Sequence, residues 1–100
     1  MLRVAVGVIT NAAGEVFNGA DDNGSGTTGV MMLARAYAKQ PPNRSMLVML
    51  YTAEEIGLLG SQHFAKTPTA GVDLKKCVAM LNFDMIGRLK DNKLEIGGIA

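Results

Sequence analysis

Two short runs without a single polar residue, MLVML at 46–50 and CVAML at 77–81, restrict what this chain can fold into. A strand with one face in water alternates apolar and polar residues, whereas a strand covered on both faces does not. Both runs therefore predict buried strands of a parallel sheet. Elsewhere the spacing is helical. Over 27–39, Val30, Leu33, Ala34, Tyr37 and Ala38 recur at helical intervals, with Arg35 and Lys39 on the other side. Ser25 or Asn23 is placed to cap this helix, and Pro41 with Pro42 ends it. A second helix is predicted over 56–66 through Leu59, His63 and Phe64, stopped by Thr67 and Pro68. Further strands are expected at 4–9, before a turn at NAAGE, and at 94–96. Strands alternating with helices of this length require crossover connections. The expected fold class is α/β, a three-layer, mainly parallel sheet with flanking helices, forming one partial domain over residues 1–100.

Size and composition narrow the function classes. One hundred residues lie near the lower end of what can bury a self-sufficient core, so marginal stability is expected. With 48% hydrophobic residues, 19% charged residues and a formal charge of +1, the chain is neither disordered nor a basic polymer binder, and nucleic acid is not an expected partner. The single cysteine, Cys77, excludes an intrachain disulfide and, inside CVAML, is expected to be buried. No apolar stretch approaches the roughly 20 residues of a membrane span. The opening MLRVAVGVIT lacks the apolar core and cleavage site of a secretory signal.

The acidic residues fall where the sheet would open. Ligands of open α/β sheets bind outside the carboxyl ends of the strands. Asp21 and Asp22 lie in the glycine- and asparagine-rich loop before the first helix, Glu54 and Glu55 follow the first apolar run, and Asp84 follows the second. Each has an ordinary reading alone: a turn, a solvated pair at a helix start, a cap. Converging in one crevice, they would repel one another unless cations neutralise them. Neighbouring side chains on an extended backbone point in opposite directions, so one glutamate is free to ligate a metal while the other acts as a general base.

Together, FNGADDNGSGTTGVMMLARAYA (17–38), RSMLVMLYTAEEIGLLGSQHFA (44–65) and VAMLNFDMIGRL (78–89) resemble the M28 family of zinc-dependent aminopeptidases. The resemblance implies a co-catalytic pair of zinc ions and hydrolysis of the N-terminal peptide bond of a peptide substrate. It implies Asp22 as the bridging ligand, Glu54 as the general base, and Glu55 and Asp84 as ligands of one zinc each. Members with these motifs are commonly exported. The family's two histidine ligands have no counterpart: one is expected before residue 4, the other far downstream. His63 falls in GSQHFA, where the family has no ligand, and is expected to be a packing or surface residue. Asp22, Glu55 and Asp84 alone form an oxygen-only set that suits magnesium, calcium or manganese better than zinc. The expectation is thus a piece of a longer enzyme, by truncation, a mis-started frame or excision. It would have little activity by itself, and its partner would be the remainder of the peptidase domain.

Three other readings compete. GSGTTG at 24–29 satisfies the dinucleotide-binding pattern, but neither a buried strand immediately before it nor an acidic residue about 20 positions after it is present. A phosphoryl-transfer receiver would need a lysine after a later buried strand, which is absent. A non-catalytic binding relative would have no reason to keep Glu54.

Overall fold

The computed structural model describes residues 9–69 and 71–98. The expected first strand falls largely at 4–8, outside the described residues. Its end, β1 (Ile9–Thr10), pairs antiparallel with β2 (Val16–Phe17), Ile9 opposite Phe17 and Thr10 opposite Val16. The NAAGE turn that joins them is built by Asn11, whose Oδ1 accepts from the amides of Ala13 and Glu15 at 3.0 Å each. Gly14 takes a positive φ of 79° there, a conformation that costs glycine little.

The acidic loop is a wound segment, Ala20–Ser25, broken inside by the non-helical dihedrals of Asp22 and Asn23, whose connecting peptide bond is cis. It leads directly into α1 (Gly26–Lys39). Of the two candidate caps, Asn23 does the work: its Oδ1 accepts from the Gly26 amide at 3.0 Å, while the Ser25 hydroxyl donates to the Asp21 carbonyl at 2.7 Å. The second helix, α2 (Leu59–Lys66), starts three residues later than the spacing predicts. Residues 55–57 form a turn instead, because the Glu54 carbonyl accepts from both Gly57 and Leu58 and the chain reverses with Leu58 at φ 61°.

Two contacts fix these helices. α1 lies against residues 83–87, and a Cβ on Gly26 would stand 2.3 Å from the Phe83 carbonyl oxygen. α2 folds back over the chain that precedes it. The Gly60 amide donates to the Thr52 carbonyl at 3.1 Å, and the rings of Tyr51 and Phe64 meet at 6.0 Å and 59°. Val30, Tyr51 and Phe64 are the buried hydrophobic residues among those described.

The expected burial of the apolar runs is not found. Residues 46–50 and 77–81 belong to no helix or ladder among the described residues, and neither do 94–96. Leu47 is 51% exposed and Val78 75%. Cys77 is likewise exposed, not buried. The reason is physical: a doubly apolar strand is buried only when chain lies on both its faces, and nothing among the described residues covers these. No described helix is long and apolar enough to cross a membrane.

Candidate functional site

The turn-helix junctions bring the acidic residues together. Asp22 is held at the break in Ala20–Ser25, Glu54 and Glu55 sit on the turn before α2, and Asp84 lies in the stretch packed under the start of α1. Their proximity is felt at Glu55. The negative charge of Asp22 contributes most to holding its carboxyl above the ordinary carboxylate range, followed by desolvation, the charge of Glu54, a hydrogen bond shared with the Glu54 side chain, and the charge of Asp84. Like charges in one crevice disfavour ionisation in this way. Asp22, Glu55 and Asp84 are exposed and Glu54 is half-buried, so the cluster opens to solvent.

The two glutamates do not diverge as an extended strand would make them. Ala53 has φ 58°, which ends any strand geometry before Glu54, and the side chains of Glu54 and Glu55 share a hydrogen bond.

Asp21 is not part of this open cluster. Its Oδ1 accepts from the Gly87 amide at 2.8 Å and from the Ser25 hydroxyl at 3.1 Å. Its Oδ2 is a buried atom without an aligned hydrogen bond, but lies 2.9 Å from Arg88 Nε in an ion pair. Asn23, 5% exposed, reaches the same stretch: its Nδ2 donates to the Phe83 carbonyl at 2.9 Å, and its Oδ1 accepts from the Met85 amide at 3.3 Å. Sequence reasoning read Asn23 only as a cap of α1 and missed its reach to Phe83 and Met85, and it missed Gly87 and Arg88. The signal available for them was the glycine pattern, since Gly26 and Gly87 mark where the two stretches touch.

The same contacts account for GSGTTG. Gly26 is buried against the Phe83 carbonyl, and a Cβ on Gly29 would meet Ile86 Cδ1 at 2.7 Å. These glycines admit a neighbouring stretch of chain.

The fit to a metal is partial. Carboxylates that repel one another attract a divalent cation, and oxygen donors accept one. Yet among the described residues no three histidine, cysteine, aspartate or glutamate side chains are close enough to hold an ion together. His63 is exposed on α2.

The sequence profile of Peptidase family M28 matches residues 5–98. The chain belongs to that family. It is 38% identical over 69 residues to the aminopeptidase YwaD of Bacillus subtilis, a stretch that is 69% of this chain and 15% of that protein. It is 44% identical over 69 residues to leucine aminopeptidase 2 of Arthroderma otae, covering 69% of this chain and 14% of that one. An aminopeptidase of Pseudomonas aeruginosa is 42% identical over the same length, which is 13% of that protein. The matched stretch thus spans only 13% to 15% of the length of these relatives. No solved structure matches the chain.

Proposed function

We propose that this chain carries the acidic part of a co-catalytic metal centre in an aminopeptidase that removes residues from the N-terminus of peptides. The observation that carries the proposal is Glu55: charges from residues as distant in sequence as Asp22 and Asp84 act on its carboxyl together with that of Glu54. Membership of a peptidase family and the aminopeptidase names of the relatives support the same reading.

Asp22, Glu55 and Asp84 would hold the zinc ions, with the two histidine ligands supplied by chain beyond these residues. When bound, the ions would polarise the scissile carbonyl and acidify the attacking water. The remaining chemistry is the protein's. Glu54, half-buried beside the ligands, accepts a proton at its carboxylate as the water oxygen bonds to the carbonyl carbon, and returns it to the amine nitrogen as the carbon–nitrogen bond breaks. Residues 46–50 and 77–81 are proposed to become central strands of a three-layer, mainly parallel sheet once the rest of the peptidase domain lies over them.

The test is metal analysis after equilibrium dialysis against zinc, on the chain and on Glu55→Ala, with hydrolysis of leucine amide measured alongside. Zinc bound by the chain and lost on that substitution, with little or no turnover, supports an acidic half-centre. Zinc retained equally by the substituted chain would defeat the assignment.

A further inference from the structure

Asp22 and Asp84 are each flanked by residues that grip the other's stretch. On one side of Asp22, Asp21 accepts from the Gly87 amide at 2.8 Å and pairs with Arg88 at 2.9 Å. On the other side, Asn23 bonds the Phe83 carbonyl and the Met85 amide, the two neighbours of Asp84, at 2.9 and 3.3 Å. The stretches are 60 residues or more apart in sequence, so no local geometry ties them. Asn23 also caps α1 through Gly26, and Ser25 steadies Asp21 from below at 3.1 Å, so the clip is anchored on a helix of 14 residues. Arg88 is a surface side chain, 75% exposed, whereas Asp21 is 21% exposed, so the aspartate is the fixed half of the pair.

We infer that Asp21 and Asn23 are positioning residues: they clamp residues 83–88 so that the carboxylates of Asp22 and Asp84 are held at one spacing, ready to share a metal centre. This rests on the metal-centre reading only for the use of the spacing, not for the clamp itself. Groups that orient ligands without touching the metal commonly change metal affinity by about 10- to 100-fold when removed. Asp21 is the more telling of the two, because its loss leaves the cap of α1 in place.

The experiment titrates the full chain with Mn2+, followed by electron paramagnetic resonance, for the unsubstituted protein, Asp21→Ala and Asp21→Asn, with circular dichroism of each. Asp21→Ala is expected to weaken Mn2+ binding by about 10- to 100-fold at an unchanged helical spectrum. Asp21→Asn keeps an acceptor for Gly87 but loses the charge facing Arg88, and should fall between; it serves in place of the alanine variant if that one unfolds. Phe64→Val, destabilised at a distance from the clamp, should leave Mn2+ affinity unchanged, which a purely structural effect of Asp21 would not predict. Equal affinity with and without Asp21 overturns the inference. If the unsubstituted chain binds no Mn2+, the metal reading fails, and spin labels on Asp22→Cys and Asp84→Cys in a Cys77→Ser background decide the clamp alone. A narrow distance distribution that broadens on Asp21→Ala supports it, and one that does not change overturns it.

Discussion

Replacing Gly26 by alanine tests how closely the start of α1 must approach residues 83–87. Gly26 has φ −62° and ψ −41°, ordinary helical values, so alanine meets no backbone penalty there and would by propensity gain about 1 kcal/mol. Space decides the outcome. The new Cβ would lie 2.3 Å from Asn23 Oδ1 and 2.3 Å from the Phe83 carbonyl oxygen, with the Phe83 carbonyl carbon at 2.9 Å. These are backbone atoms and a buried amide that already bonds Gly26, Phe83 and Met85, so relief means separating the two stretches. Forced overpacking costs about 1–3 kcal/mol. Leaving the buried Asn23 short of partners costs about 1–3 kcal/mol more. Set against the propensity gain, the net loss is about 1–5 kcal/mol, a large part of the stability of a small domain. Gly29→Ala is the matched control. Its Cβ meets only Ile86 Cδ1, at 2.7 Å, the far end of a flexible side chain, and is expected to change stability by less than about 1 kcal/mol. Urea unfolding followed by circular dichroism compares the three proteins. A Gly26→Ala chain as stable as Gly29→Ala would refute the close approach of α1 to residues 83–87.

Three more outcomes follow from individual groups. Glu55 has its carboxyl held above the ordinary range, chiefly by Asp22, so its contribution to stability is complete below the unfolded value of about 4.3 and is lost as pH rises through the raised folded value. In the absence of divalent cations Glu55→Gln should flatten that loss in urea unfolding measured across pH. Tyr51 is buried with its hydroxyl on Met49 Sδ at 3.2 Å, and burial pushes its phenol above about 10. Its stabilising effect is therefore intact below about pH 10 and lost above it, and absorbance at 295 nm on Tyr37→Phe, which leaves Tyr51 as the absorbing phenol, should show ionisation delayed past that value. Cys77 is exposed, so a thiol reagent should label it fully in the native chain at the rate seen in urea; slow labelling that needs denaturant would contradict its exposure.

What the sequence revealed and what it hid divide along a physical line. Local signals were legible: the interval of Val30, Leu33 and Tyr37 placed α1 to within a residue, and Thr67 with Pro68 ended α2 where its last turn closes. The acidic residues were legible as a set, because five carboxylates in three loops have no local reason to recur, and the structure brings Asp22, Glu54, Glu55 and Asp84 within electrostatic reach. The start of α2 was not, since Gly57 at φ 111° and the left-handed Leu58 turn the chain inside a stretch whose apolar spacing is already helical. The left-handed Ala53, which the sequence does not announce, ends the strand geometry before Glu54 and Glu55. Burial of the apolar runs was misjudged for a different reason: an apolar pattern reports the surroundings a strand requires, not whether those surroundings lie within the same stretch of chain, as Leu47 and Val78 illustrate. The separate duties of Asp21 and Asp22 were hidden as well, because two adjacent aspartates look alike until Gly87 and Arg88 are found against one of them.

The claim on which the account rests is that three distant stretches bring their carboxylates into one cluster. Its most direct test is the titration of the Glu55 side-chain carboxyl by carbon-13 nuclear magnetic resonance, in the unsubstituted chain and in Asp22→Asn, without divalent cations. Glu55 is expected to titrate above the ordinary glutamate value in the first and to move down toward it in the second, because Asp22 is the largest contributor. A Glu55 that titrates at the ordinary value in both proteins would mean that Asp22 is not beside it and that the carboxylates form no common site.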